Sequence, residues 1–258
     1  MEIAKGSIDE YEHLLNNVMY VVSNIPGKGI DIDDFESVFL NGCSCEEMQC
    51  NDMCSCVRNK VNYIDNLLLN DEKLNDLIFE CNSACSCFNN SNCNNRIVQN
   101  GPLNCLKIIN NNKGFGLITN SNIKKNQFIC EYAGEVIGID EAKFRDKNNK
   151  INKEMNYILV VTENIGDRKI ITCIDPKYFG NIGRYCNHSC QPNANLVPVR
   201  VDNLIPRLCL FASRDIIVNE EITFDYAGGL DKNINNISET PCLCGSDNCL
   251  GFLPHHSI

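Results

Sequence analysis

GRYCNHSCQPN, Gly183 to Asn193, sets one histidine between an asparagine and a serine, with a cysteine two residues away on either side. The chain has only four histidines, and two of the others lie at its extreme end. His188 is a zinc ligand, a catalytic base, or part of a binding wall that uses its backbone more than its ring. The choice depends on what the other cysteines do.

There are 18 cysteines among 258 residues. A chain of this length buries a sizeable core, as one large domain or two modest ones. No apolar run approaches the roughly 18–20 residues of a membrane helix. The opening MEIAKGSIDEYEHLLNN is acidic and polar where a signal peptide is basic and then apolar. The expectation is an intracellular protein, monomeric and without a membrane partner, in which thiols stay reduced. Zinc thiolate then explains dense cysteine better than disulfides do. The formal charge of −10 argues against direct, sequence-specific DNA binding, because phosphate contacts need clustered Lys and Arg. It suits a basic partner such as a lysine-rich peptide, although acidity by itself also gives solubility.

Nine cysteines crowd between Cys43 and Cys93, as CSCEEMQCNDMCSC and then CNSACSCFNNSNC. They are Cys43, Cys45, Cys50, Cys54, Cys56, Cys81, Cys85, Cys87 and Cys93. Zinc prefers four ligands in a tetrahedron, and nine thiolates do not divide into separate four-cysteine sites. Three zincs sharing them close the count: six terminal and three bridging thiolates fill twelve positions. Nine thiolates on three divalent ions leave a charge of −3, which backbone N–H groups or an arginine such as Arg96 should offset. Such a cluster folds a segment too polar to fold alone.

From Leu106 onward short β-rich runs appear, LKIINNNKGFGLIT, FICEYAGEVIG, YILVVTE and KIITCID, each bounded by turn residues. They are too closely spaced for a βαβ pattern. A helix is expected after Ile139, with Asp140 as its cap, and a modest helical pattern runs from Tyr11 to Val22. GGLDKNINNISET reads as a flexible polar linker before the closing PCLCGSDNCLGFLP.

The spacing C-x-C-x4-C-x3-C-x-C, then C-x3-C-x-C-x5-C-x-x-R, resembles the pre-SET module of SET-domain lysine methyltransferases. KGFG (Lys113, Gly114, Phe115, Gly116) resembles the family's glycine-flanked aromatic motif, usually built on Trp. EYAGEVI, the Asn156–Tyr157 pair, RYCNHSCQPN and EEITFDY follow in the family's order, and PCLCGSDNC matches the post-SET pattern C-x-C-x4-C. Within the family, CEYAGEV, DPKYFGNIGR and FLP are similar in wording to the branch joined to a mariner transposase.

The resemblance implies a mainly β fold of small sheets with short helices and a knot-like C-terminal threading. The implied divisions are a helical segment over 1–40, a pre-SET module over 41–104 and a SET domain over 105–228. A linker over 229–240 and a post-SET tail over 241–258 follow. It implies S-adenosylmethionine as cofactor, three zincs in the pre-SET module and one in the post-SET tail. A nuclear, chromatin-bound enzyme acting on the histone H3 tail of the nucleosome is expected, at lysine 9 or lysine 36. Tyr226 would orient the amine, with Tyr132 as a second hydroxyl and Phe224 as a wall that permits di- or trimethylation. Lys113, Gly114, Phe115, Gly116, Tyr157, Arg184, Asn187 and His188 would hold the cofactor, the histidine largely through its backbone. Cys190 would join Cys242, Cys244 and Cys249 on the fourth zinc. Cys105, Cys130, Cys173, Cys186 and Cys209 remain, most of them expected as core residues, with a reactive thiol the alternative for Cys186 near the expected cofactor wall. A catalytically weak zinc-stabilised recruiting module is the competing expectation, and a zinc store a third.

Overall fold

The computed structural model describes residues 15, 17–38, 41–45, 50–57, 61–69, 77–88, 93–227 and 237–254. The fold is mainly β. Leu106–Asn111 and Gly114–Thr119 form an antiparallel hairpin whose two-residue loop carries Lys113. Gly114 leaves that loop at φ +95°, a conformation that side chains disfavour, so glycine fits there.

Two four-stranded sheets carry the core. One has the order Leu159–Ile165, Arg168–Asp175, Glu135–Ile137, Ile25–Pro26. The other runs Ile78–Phe79, Ala194–Arg200, Arg207–Ala212, Phe128–Glu131. Leu117, Ile129, Tyr132, Val136, Ile174, Leu208, Leu210, Ile222 and Phe224 pack between the elements. Arg200 is fully buried in this second sheet. It donates to both carboxylate oxygens of Glu163, at 3.1 and 2.7 Å, and to the Leu204 carbonyl at 3.0 Å.

Helical structure is confined, among the described residues, to Ile32–Glu36, Ile139–Asn152 and two short 3-10 turns, Val98–Asn100 and Ile182–Tyr185. The long helix begins two residues earlier than a cap at Asp140 would start it. Gly138 occupies its N-cap without a side-chain hydrogen bond, so Asp140 does not cap it. Asp140 and Glu141 instead lie in the first turn, where acidic groups complement the helix dipole. Ala142, Asp146 and Asn149, spaced four and three apart, form its buried face.

Two expectations change. Of the helix expected from Tyr11 to Val22, residues 11–14 and 16 lie outside the described residues. The described part is not helical: Met19–Tyr20 pairs in parallel with Phe179–Gly180, and Ile25–Pro26 with Glu135–Val136. The N-terminal segment is stitched into the sheets rather than laid on their outside, because pairing satisfies backbone groups that an isolated short helix would not hold. Likewise the polar run ending near Thr240 is not all linker. Ile237–Pro241 is a strand paired with Phe252–Pro254 across the tail.

Asn187–His188 pairs in parallel with Thr223–Phe224. Between them in sequence lie two strands of another sheet, so the C-terminal segment returns beside a segment laid down much earlier.

Candidate active site and thiolate clusters

A zinc–sulfur bond of about 2.3 Å in a tetrahedron places the sulfurs of one site roughly 3.8 Å apart. In the first module Cys43 and Cys50 lie 3.7 Å apart, Cys50 and Cys87 3.7 Å, Cys43 and Cys87 4.0 Å, and Cys56 and Cys85 3.5 Å. The sulfurs fall into overlapping groups of four: Cys43, Cys50, Cys81, Cys87; Cys43, Cys54, Cys56, Cys81; and Cys43, Cys45, Cys50, Cys54. Cys43 falls in all three groups and Cys50, Cys54 and Cys81 in two each, so the sulfurs form one continuous cluster. No disulfide joins any cysteine.

The protonation pattern fits a site made for a cation. Burial pushes the Cys43 and Cys50 thiols up, whereas hydrogen bonding with Cys81 brings Cys56 and Cys93 down to about 5. Sulfurs so crowded cannot all ionise without positive charge among them. Arg96 supplies some of it. Burial works against its charge, but the neighbouring Cys87, Cys81 and Cys85 sulfurs outweigh that and raise its pKa. Its guanidinium also donates to Gln99 Oε1 at 2.6 Å and to the Asn82 carbonyl, and lies 5.3 Å from the Phe88 ring centre. Backbone N–H groups of Asn82 and Cys43 point at Cys85 Sγ, at 3.1 and 3.4 Å.

A fourth group unites Cys190 with Cys242, Cys244 and Cys249, across more than fifty residues of chain. The Leu250 N–H donates to Cys190 Sγ at 3.4 Å. Both thiolate centres therefore fit zinc, by sulfur spacing and by donor chemistry.

Beside the tail cluster lies an aromatic nest. Phe224 sits 4.9 Å from Tyr226 and 5.8 Å from Tyr132, ring centre to ring centre, in tilted and edge-on arrangements. The Tyr226 hydroxyl donates to the Cys186 carbonyl at 2.9 Å, and the Tyr132 hydroxyl to the Tyr157 carbonyl at 2.7 Å. Burial is the main cause holding both phenols above their ordinary pKa. They stay neutral at physiological pH and are not tyrosinate bases.

The other predicted residues converge on the same region. The Arg184 guanidinium lies over the Tyr157 ring, 4.6 Å from its centre, and its Nε donates to the Pro176 carbonyl at 3.0 Å. The Phe115 and Tyr185 rings meet edge-on at 6.0 Å. Asn187 Nδ2 donates to the Phe115 carbonyl at 3.0 Å and to Glu221 Oε1 at 2.8 Å. Lys113 Nζ forms an ion pair with Glu221 Oε2.

His188 answers its own question. Nδ1 accepts from the Tyr226 backbone N–H at 3.2 Å, which leaves Nε2 to face Cys190 Sγ at 3.4 Å. By this network the ring proton belongs on Nε2. The ring therefore bridges the tail cluster to Tyr226, a task that neither a base nor a backbone-only role describes. Asp225 Oδ1 stands 3.7 Å from Nδ1, which in this tautomer has no proton to give it. Glu221 was missed by the sequence reading. The doublet Glu220–Glu221 is its only mark in the sequence, and it does not say which acid turns inward, because only Glu221 makes a bridge, to Ile118.

The SET domain family matches residues 114–227 and the Pre-SET motif residues 4–96. The histone-lysine N-methyltransferase SETMAR of Mus musculus is 41% identical over 254 residues, covering 92% of this chain and 81% of that protein. The crystal structure of the methyltransferase domain of human SETMAR superimposes with a TM-score of 0.80 at 36% identity, over 95% of this chain and 92% of that one. The structure of KRYPTONITE in complex with mCHH DNA, H3(1–15) peptide and SAH matches with a TM-score of 0.71 at 26% identity, over 92% of this chain and 48% of that one. Fold, motif order and thiolate geometry agree with these likenesses, and the chain belongs to the SET-domain histone-lysine N-methyltransferases.

Proposed function

We propose that this chain transfers methyl groups from S-adenosylmethionine to a lysine of the histone H3 tail, reaching the di- or trimethyl state, in nuclear chromatin. The observation that carries the reading is the buried nest of Tyr132, Phe224 and Tyr226 beside Asn187 and the KGFG turn. An H3 tail is basic and extended, and this chain carries a net charge of −10. The KRYPTONITE structure, with H3 peptide and SAH together, supports both substrate and cofactor class by likeness.

The cofactor, when bound, supplies an electrophilic methyl on a sulfonium. In the transfer a new N–C bond forms as the S–C bond breaks, and the amine must arrive neutral. Free lysine titrates near 10.4, and a dry aromatic channel favours the neutral form. Tyr226 and Tyr132 hold fixed hydroxyl dipoles toward the amine, and the three rings face its developing positive charge. Tyr157, Arg184, Asn187, Phe115 and the glycines on either side of it form the cofactor wall, with His188 bracing it. The nine N-terminal cysteines hold three zincs and Cys190, Cys242, Cys244 and Cys249 a fourth, which fixes the tail over the channel.

Mass spectrometry of H3 peptides and of nucleosomes, after incubation with S-adenosylmethionine, tests this. Methylated lysine on H3 is expected, and fragment ions name the residue and the methyl count. A zinc-replete, cofactor-binding protein that leaves H3 unmodified would sink the histone assignment.

A further inference from the structure

Glu221 sits where three segments of the candidate site meet. Oε1 accepts from Asn187, and Asn187 uses the same amide nitrogen to hold the Phe115 carbonyl. Oε2 pairs with Lys113, 108 residues away in sequence. Gly116 lies directly beneath the carboxylate: a Cβ there would fall 2.7 Å from Oε1 and 3.1 Å from Asn187 Nδ2. The side chain is mostly enclosed, with 19% of its surface exposed against 17% for Lys113. The main chain adds two ties, from Ile222 N–H to the Leu117 carbonyl at 2.7 Å and from Asn193 Nδ2 to the Glu221 carbonyl at 2.8 Å. Glu220, its neighbour, turns the other way and meets Arg214 at 2.5 Å.

This arrangement revises the role of Lys113. Its ammonium is spent on Glu221, so the KGFG turn brings a neutral pair to the cofactor wall instead of a free cation. The difference matters for a ligand whose charge changes in the reaction. S-adenosylmethionine carries a sulfonium cation, and the product S-adenosylhomocysteine carries a neutral sulfur in its place. A lone lysine at the wall would repel the first and not the second.

We propose that Glu221 is a positioning residue that clamps Asn187 and the KGFG turn. It also neutralises Lys113, so that the site does not favour its spent cofactor over the fresh one. The inference rests on reading Asn187 and the KGFG turn as the cofactor wall. Electrostatic discrimination of this kind is strongest where water is excluded, and both partners here are largely enclosed.

Equilibrium binding of S-adenosylmethionine and S-adenosylhomocysteine to the zinc-loaded chain tests it. Glu221→Gln keeps an oxygen for Asn187 and removes the charge. It is expected to weaken S-adenosylmethionine by roughly five- to tenfold more than S-adenosylhomocysteine, as a coupled pair of this strength allows. Product inhibition should rise in step. Adding Lys113→Met to Glu221→Gln should restore the ratio of the two affinities, and Lys113→Met alone should shift it toward S-adenosylmethionine. Equal weakening of both ligands, with no rescue by the second substitution, would make Glu221 a structural residue only and overturn the proposal. Should Glu221→Gln not fold, an unchanged ratio in Lys113→Met overturns it as well. A wild-type chain that binds neither ligand overturns the cofactor assignment itself, a result distinct from the others.

Discussion

The Tyr226 hydroxyl donates to the carbonyl of Cys186 at 2.9 Å. That carbonyl belongs to the C-cap residue of the 3-10 turn Ile182–Tyr185, whose N–H bonds back to the Gly183 carbonyl, so the phenol is aimed by backbone and not by another mobile side chain. Tyr226→Phe removes the dipole and leaves the ring in place. Methyl transfer is expected to fall by about a hundredfold or more, as when one preorganised donor is deleted. Cofactor affinity should stay within about threefold, and stability should fall by only about 1 kcal/mol for the one lost hydrogen bond. Mass spectrometry, calorimetric binding and thermal melting separate the three.

Phe224 is almost fully buried between Tyr132 and Tyr226. Phe224→Tyr puts a third hydroxyl, and the water it holds, where a methylated amine needs room. Products should shift toward monomethyl-lysine, with the first transfer slowed less than the later ones. Time-resolved product analysis checks it, and undiminished trimethylation by the variant would rule out this wall as the determinant.

The two thiolate centres differ in exposure. Cys81 and Cys87 are fully buried, whereas Cys244 and Cys249 are partly open to solvent. A chelator should therefore strip the tail site first, with activity falling before the melting transition moves. Cys244→Ser should mimic that stage, and Cys81→Ser should instead destabilise the whole N-terminal module. Zinc release followed colorimetrically alongside circular dichroism gives the order. Simultaneous loss of fold and activity would contradict it.

Arg200 is fully buried with its fork on Glu163. Arg200→Met should cost about 3–5 kcal/mol, because Glu163 is left without its cation. Lysine should not rescue it, since a point charge cannot span both oxygens and the Leu204 carbonyl. Chemical denaturation measures the loss.

Burial, first among the causes, raises the phenols of Tyr63, Tyr132 and Tyr226. An unfolded tyrosine titrates near 10, so the folded state holds these protons more tightly. Their contribution to stability is complete below about pH 10 and is lost as pH rises through the higher folded values. Ultraviolet difference titration should show Tyr63, Tyr132 and Tyr226 ionising late, together with unfolding. Ionisation of these three near pH 10 in the folded protein would disprove the burial argument.

The strands from Leu106 to Asp175 were legible because each is a run of apolar and β-branched residues broken by turn formers. The cysteine spacing was legible because sulfur ligands must be close in sequence or paired to share an ion. Met19–Tyr20 and Ile25–Pro26 were not. Two-residue strands have no period to detect, and their partners lie beyond a hundred residues away. The helix cap at Gly138 escaped for a related reason, since an extended glycine closed against Lys28 leaves no side-chain signature. Glu221 could be marked as one of two adjacent acids, but its partner Lys113 is a fact of tertiary structure.

The parallel pairing of Asn187–His188 with Thr223–Phe224 has a consequence for synthesis. During translation the earlier pair stays solvated until the later one has been made, and Cys190 waits longer still for Cys242. Pairings this distant in sequence close slowly. A fragment ending before Phe224 holds only Tyr132 of the three nest aromatics, so the nest is complete only once Tyr226 has been made.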